Sequence, residues 1–243
     1  MKKAFLLLLL LPLLSCSSGS EEKAVEIIEK SIAAHGGASR YEALNSFSFV
    51  KNSLLFDETG ELESQSEVNH SYRYKPFFEG VMSWEKDSIK HEFKFDGLKA
   101  SYKMGANEIQ NPGFLQSRKL DFEGTHYVLV KPFDLLKSAK KLEYLGRTRL
   151  ANELEVENIM VVDGDPEDAA TDVWWYFFDV QSYQLVGYRV KTSGHFAQVY
   201  NKELDLQDGL LLPSKRESYR VDSAGNHLYL RAAYSFDKFQ LNF

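Results

Sequence analysis

The alternation of apolar and polar residues along most of the chain predicts antiparallel β-strands. Residues 68–75, 90–95 and 98–104 alternate in this way. A period of two places apolar side chains on one face of a sheet and polar side chains on the other. Later segments repeat the pattern at 154–162, 173–178, 186–190, 196–206, 217–221 and 228–236. About ten strands in series are typical of a meander, a sandwich or a barrel.

A helix is predicted ahead of the strands, at about residues 24–35. Val25, Ile28 and Ile32 repeat at helical spacing, and charged residues occupy the other side. Gly36-Gly37 follows as a stop, because glycine readily takes the left-handed conformation that ends a helix.

The middle of the chain predicts further helices. Residues 112–141 lose the strand alternation, and their apolar pairs suit one or two helices better. Turns are predicted at 96–97 and 208–209, where Asp-Gly pairs occur, and at 224–226. No shift in composition divides the chain, so we expect a single domain over residues 24–243.

The N-terminal residues predict an export signal at 1–15. Lys2 and Lys3 precede an apolar run that is too short to cross ~30 Å of hydrocarbon. Leu13-Leu14-Ser15-Cys16 resembles the lipobox of bacterial lipoproteins, in which the cysteine is acylated and the signal is cut before it. Cys16 is the only cysteine, so it has no disulfide partner. The alternative is a secretory signal whose cysteine is incidental.

Residues 16–23 are expected to form a lipidated, palmitate-type anchor and a polar tether to the membrane. Ser17 favours the outer membrane by the rule known for lipoproteins, whereas Glu21-Glu22 leaves a surface-exposed location open. The net charge of −6 argues against nucleic-acid partners and against electrostatic docking on anionic lipid. Attachment must then come from acyl chains. We expect a monomer in the cell envelope.

Four segments together resemble the LolA/LolB-like family of outer-membrane lipoprotein-sorting proteins. They are residues 29–37 leading to Phe47, 126–146, 175–186 and 208–213. The resemblance implies an α+β fold, namely an incomplete, strongly curved antiparallel β-barrel closed by an N-terminal helix and a mid-chain helical insertion. It also implies an apolar cavity, which holds lipoprotein acyl chains in the sorting proteins. The soluble carrier of that family lacks a lipid anchor, and the membrane-bound receptor has one.

Reactive motifs are missing from the sequence. The six histidines, at 35, 70, 91, 126, 195 and 227, do not have metal-ligand spacing, and we expect structural roles for them. The acidic segment 163–168 departs from the EF-hand template and suits a solvated hairpin loop. No GxSxG, GxGxxG or P-loop is found. The expectation is a protein that is not an enzyme and needs no metal or cofactor.

Aromatic residues are the remaining candidates for a site, with 17 Phe, 13 Tyr and 3 Trp. Residues 174–178 are apolar on both faces, so either both faces are covered by protein or one lines a pocket. Within the implied barrel, the predicted cavity-lining residues are Tyr72, Tyr74, Trp84, Phe93, Phe95, Tyr102, Tyr188, Tyr219, Leu230 and Tyr234. Because a buried tyrosine hydroxyl needs a partner, a partly wet cavity suits this set.

These observations leave three hypotheses about the function of the protein. The leading hypothesis is a lipid-anchored envelope protein that binds or transfers a hydrophobic ligand, with acyl chains as the default. The first alternative is a structural or interaction lipoprotein whose interior is simply packed. A weaker alternative is a glycan-directed hydrolase, since the sequence does not pair carboxylates across a cleft.

Overall fold

The computed structural model describes residues 17–165, 167–168, 170–192 and 194–243. The predicted signal peptide and Cys16 lie outside the described residues. The helices are α1 (Ser17–Ala34), α2 (Ala38–Ala43), α3 (Pro112–Leu129) and α4 (Leu135–Ser138). The strands are β1 (Ser46–Phe56), β2 (Leu62–Arg73), β3 (Glu79–Lys86), β4 (Ile89–Phe95), β5 (Ala100–Met104), β6 (Asn107–Glu108), β7 (Lys141–Arg149), β8 (Glu155–Val162), β9 (Val173–Asp179), β10 (Leu185–Lys191), β11 (Phe196–Gln207), β12 (Leu210–Val221) and β13 (His227–Asn242).

All thirteen strands belong to one antiparallel sheet that is not closed into a barrel. The order is β6-β5-β4-β3-β2-β1-β13-β12-β11-β10-β9-β8-β7, so the first and last long strands pair at the centre. The turns predicted at 96–97, 208–209 and 224–226 join β4 to β5, β11 to β12 and β12 to β13. The predicted α+β fold, an incomplete antiparallel barrel with helices, is confirmed.

Helix α1 is already formed at Ser17, the first described residue, which is seven residues before the predicted start. The hydroxyl of Ser20 donates to the carbonyl oxygen of Tyr144 at 3.1 Å and accepts from its amide at 3.0 Å. This double contact attaches the first turn of α1 to β7. The segment predicted as a tether is therefore helical from Ser17 onward, and it belongs to the folded body.

The end of α1 is fitted closely to the β11–β12 turn. Gly36 has φ +109°, and a Cβ at this position would lie 2.0 Å from the carbonyl oxygen of Gly209. The amide of Leu211 donates to the carbonyl oxygen of His35 at 2.9 Å. Only glycine combines this backbone conformation with so close an approach.

Helix α3 confirms the prediction of mid-chain helices. Asn111 caps it by accepting a hydrogen bond from the amide of Phe114 at 2.9 Å, and Pro112 occupies the first turn. The helix packs near β5, while α1 packs against β7. Helix α1 thus lies at the β7 edge of the sheet, and α3 reaches from β5 across its central strands. Within the described residues, no helix is both long enough and apolar enough to span a membrane.

The main hydrophobic core lies between the helices and one face of the sheet, called the inner face below. Ile27 and Ile28 of α1, Phe122 of α3 and Leu135 of α4 are all fully buried there. A second, smaller cluster around Phe177 and Tyr200 lies on the opposite, outer face. Burial of apolar surface on both faces is what stabilises so large a sheet without disulfides.

Candidate functional site

A cleft lies between α3 and the inner face of the sheet. It consists of two adjoining cavities of about 320 Å³ and 260 Å³, which share Lys51, Asp121 and Thr125. The first cavity is also lined by Ser53, Ser66, Val68, His70, Met82, Trp84 and Arg118. The second is also lined by Leu120, Gly124, Val128, Tyr188, Arg216, Tyr234 and Phe236. Polar side chains outnumber apolar ones in the first cavity, and both kinds line the second, so the cleft offers apolar contacts together with convergent polar groups.

Three of the predicted lining residues border this cleft. Trp84 lines the first cavity, and Tyr188 and Tyr234 line the second. Trp84 is held by His91, whose ring stacks on the indole with 5.2 Å between centroids. Burial raises the pKa of Tyr188 to about 12, so its hydroxyl stays neutral at physiological pH.

Five other predicted residues are packed against α3 and line neither cavity. Phe122 of α3 stands at the centre, with its ring centroid 4.7 Å from that of Tyr72 and 5.6 Å from that of Phe93. Phe95, Tyr74 and Tyr102 contact Phe122, His126 and Phe114 of the same helix. This half of the implied cavity is thus filled by the protein's own helix.

The last two predicted residues do not join the inner-face group. Tyr219 packs in the outer cluster with Tyr200, and Leu230 lies directly opposite Tyr219. On β12, the inward-facing residues are instead Arg216 and Ser218, which the sequence pattern suggests to be solvent-facing. The register of β13 passes from Ala232 to Leu230 and skips Arg231, so a β-bulge separates Leu230 from the inner face.

Two cations of the cleft, Lys51 and Arg216, were not predicted. The ammonium group of Lys51 donates to the hydroxyl of Thr125 at 3.3 Å, and Nη2 of Arg216 donates to the carbonyl oxygen of Val128 at 2.9 Å. Burial, with a smaller contribution from the charge of Arg216, lowers the pKa of Lys51 to about 8. Burial also lowers the pKa of Arg216. Both residues occur in strands whose polar positions normally face water, and no local signal marks them as buried.

The comparison with solved structures identifies the fold. A DUF1329 family protein from Desulfovibrio piger superposes with a TM-score of 0.58 at 6% identity, over 90% of this chain and 93% of that one. A protein domain from Vibrio parahaemolyticus, described as outer membrane lipoprotein-sorting, gives a TM-score of 0.54 at 11% identity, over 91% and 93%. The chain shares the fold of these two proteins. The expected resemblance is thereby confirmed for the architecture. No protein-family model matches the sequence, and the comparison with curated proteins finds no match.

The histidines act as hydrogen-bond partners. His70, His91, His126 and His227 each face a tyrosine hydroxyl, at 3.0, 2.6, 2.9 and 2.9 Å. Nδ1 of His35 lies 2.8 Å from the carbonyl oxygen of Ser31, and that of His195 lies 3.2 Å from the hydroxyl of Thr192. Burial lowers the pKa of His70 to about 3 and that of His126 to about 4, so both rings are neutral. Across the described ranges, no group of His, Cys, Asp and Glu is arranged to hold a metal.

Strand β9 is covered by protein on both faces. Trp174, Tyr176 and Phe178 enter the main core, and Phe177 belongs to the outer cluster, against which Trp175 packs. The guanidinium of Arg189 lies 4.4 Å from the ring centroid of Trp175 and covers it. The apolar character of both faces thus reflects packing on each side.

The acidic segment 163–168 forms a loop between β8 and β9. Asp163 accepts a hydrogen bond from the hydroxyl of Tyr127. The amides of Glu167 and Ala170 donate to the side chains of Asp165 and Asp168, which is the usual way for Asp to stabilise a turn. The described part of this loop suits the predicted solvated turn better than a calcium site.

Proposed function

We propose that this chain is a lipid-anchored protein of the cell envelope that binds a hydrophobic ligand in the cleft beneath α3. The observation that carries the proposal is the pair of adjoining cavities, which share one wall formed by Lys51, Asp121 and Thr125. Their volumes, about 320 Å³ and 260 Å³, approach or reach the lower limit for ligand sites. The fold and the lipobox-like segment ending at Cys16 support the envelope setting.

Binding in this proposal is non-covalent and needs no metal or cofactor. Burial of the ligand against Trp84, Met82 and Phe236 would supply the affinity, at roughly 25 cal/mol per Å² of apolar area. Acyl chains are the default ligand, and transfer of the ligand to a second protein or membrane is the finer version of the proposal. We assign no chemical reaction to the chain, and we place it as a monomer at the outer membrane.

A second candidate is a structural lipoprotein whose interior is simply packed. The observation in its favour is the filled half of the barrel, where Tyr72, Phe93 and Phe122 are fully buried. The carrier hypothesis requires either that α3 moves away from the sheet or that the cleft is already large enough for the ligand. The structural hypothesis requires neither.

Mass spectrometry of lipid that co-purifies with the intact protein tests the two candidates. A stoichiometric lipid, lost on Trp84→Ala and Tyr234→Ala substitution, is the expected result. Leu228→Ala, at an exposed position on β13 outside the cleft, is the matched control and should retain the lipid. Absence of bound lipid, together with no uptake of a neutral fluorescent probe such as N-phenyl-1-naphthylamine, would leave the structural role.

A further inference from the structure

Lys51 and Arg216 lie on either side of β13 in the floor of the cleft. Lys51 of β1 is paired with Phe236, and Arg216 of β12 is paired with Tyr234. The Lys51 nitrogen is 5.0 Å from the ring centroid of Tyr234, and the guanidinium carbon of Arg216 is 5.6 Å from that of Phe236. These aromatic rings attract the cations but supply no counter-charge.

The guanidinium of Arg216 is incompletely satisfied. The residue is only 2% exposed, and its Nε donates to the side-chain oxygen of Asn201 at 2.7 Å. Its Nη1 is buried and has no hydrogen-bond partner among the described residues. A buried charge is costly unless it is paired and fully hydrogen-bonded. The other deeply buried cation, Lys131, has such a partner, since its ammonium lies 2.8 Å from the carboxylate of Asp134.

The acidic residue that lines both cavities offsets the charge of this pair only in part. Asp121 forms an ion pair with Arg118 at 2.9 Å, and its side chain is 54% exposed. Within the described chain, neither Lys51 nor Arg216 has an ion-pair partner. The cleft therefore combines a set of apolar side chains, among them Met82, Trp84 and Phe236, with an excess of positive charge at one place on its floor.

We propose that the cleft takes an amphipathic ligand with one acidic head group, a carboxylate or a phosphate, held between Lys51 and Arg216. The hydrocarbon part would lie along Met82 and Trp84 in the first cavity. A guanidinium and an ammonium bind such oxyanions through short, charge-assisted hydrogen bonds, and Nη1 of Arg216 would gain the partner that it lacks. This inference rests on the proposed function and specifies the chemistry of its ligand.

Competition for the neutral probe N-phenyl-1-naphthylamine on the delipidated full-length protein tests the inference. The competitors are dodecanoic acid, dodecyl phosphate, methyl dodecanoate and inorganic phosphate. At least one of the two acidic lipids should bind tenfold or more tightly than the ester, and inorganic phosphate should not compete. Comparison of the two acids then separates a carboxylate from a phosphate head group.

Lys51→Met and Arg216→Met should each weaken binding of the preferred acid by about tenfold to a hundredfold, the usual range for a lost charge-assisted hydrogen bond. Both should weaken binding of methyl dodecanoate much less, so that the preference for the acid over the ester falls. Arg216→Lys retains the charge, so its affinity for the preferred acid should lie between those of wild type and Arg216→Met. It replaces the methionine variant in the test if that variant does not fold. Lys215→Met is the control, because Lys215 is the exposed neighbour of Arg216 and pairs with Glu203.

Each other outcome overturns a defined part of the proposal. Equal affinity of wild type for acid and ester, or an unaltered preference in the methionine variants, contradicts the head-group site but leaves hydrophobic binding intact. Competition by inorganic phosphate would instead mean a site for a free anion. If the probe and all of the lipids fail to bind, both the proposed function and this inference are wrong.

Discussion

The ring of Tyr72 stacks on the ring of Phe122, and its hydroxyl donates to the carbonyl oxygen of that same residue at 3.1 Å. This double contact joins β2 to α3 in the centre of the core. The Tyr72 oxygen is also 3.0 Å from Nδ1 of His70, whose neutral ring can act as the donor. The position of α3 over the sheet thus depends on a hydroxyl with two buried partners.

Removal of that hydroxyl should destabilise the protein. We expect Tyr72→Phe to lower the free energy of unfolding by about 1–3 kcal/mol, because it removes a second hydrogen bond from a helix carbonyl and leaves the buried imidazole of His70 without its hydroxyl partner. Denaturant unfolding followed by circular dichroism measures the change. Tyr229→Phe, at a half-buried position in the β12–β13 hairpin, is the control and should cost much less. Equal effects of the two substitutions would show that the hydroxyl of Tyr72 is not a structural tie.

Packed and cleft-lining aromatics should respond differently to truncation. Phe93→Ala should cost about 3–5 kcal/mol, because Phe93 is fully buried against Phe122 and its removal leaves a void. Tyr234→Ala should cost only about 1–2 kcal/mol, since its ring already borders open space. Unfolding midpoints and retention of a fluorescent fatty acid, measured side by side, check both values. A large loss of stability for Tyr234→Ala without a loss of binding would mean that the cleft is ordinary core.

The junction of α1 with the β11–β12 turn can be tested with two neighbouring glycines. Gly36→Ala should destabilise by about 2–5 kcal/mol, because a positive φ and a clash with the carbonyl oxygen of Gly209 add together. Gly37→Ala has a similar φ, +89°, but meets nothing within 4 Å, so it should cost only about 1–2 kcal/mol. Thermal unfolding of the two variants gives the comparison. The close fit is refuted if both lose the same stability.

The buried ammonium of Lys51 should give a distinct pH dependence. Its pKa is lowered from 10.5 to about 8 in the folded protein, so the unfolded chain binds more protons between pH 8 and 10.5. Stability contributed by this group therefore rises with pH across that window. The charged side chains that line the cleft with Lys51 are Arg216, Arg118 and Asp121.

Comparison with Lys51→Met isolates this contribution. The free energy of unfolding of the variant, relative to that of wild type, should be highest below pH 8, where the lysine is charged. This difference should shrink toward pH 10.5. Urea unfolding of both proteins at half-unit intervals measures the difference. A difference that stays constant from pH 7 to 10.5 would mean that the ammonium is not desolvated in the fold.

The predicted anchor has a direct test. Cys16→Ser should move the protein from the membrane fraction to the soluble fraction and leave the circular dichroism spectrum unchanged, because the folded body does not depend on the acyl group. Ser15→Ala is a suitable control that retains the cysteine. Continued sedimentation of Cys16→Ser with membranes, or a mature N-terminus without acyl mass, would contradict the lipid anchor.

Most of the strands and the two long helices were accessible from the sequence because their periodicity is local. The alternation at 90–104 predicted β4, β5 and their turn, and the break at 112–141 predicted α3 and α4. The sequence did not reveal that α3 fills half of the implied cavity. Phe122 belongs to a helix of mixed composition, and nothing in its neighbourhood in the sequence indicates that it enters the barrel.

The failures at the site have a common physical cause. Polarity alone places Arg216 outside and Tyr219 inside, but the sheet buries the arginine and puts the tyrosine in the outer cluster. When both faces of a strand are covered, alternation no longer tells which one faces the main core. At Leu230, a single bulged residue reverses the face. Such inversions depend on long-range pairing between strands.

The early start of α1 has a consequence for how the protein would be presented at a membrane. Because Ser20 is fixed to Tyr144, the described chain is rigidly attached to the sheet within four residues of Ser17. An acyl group on Cys16 would then be joined to the folded domain through a short connection and not through a long flexible tether. The barrel would stand at the bilayer surface in a narrow range of orientations, so that the same edge of the sheet, around β7, would always lie nearest the lipid.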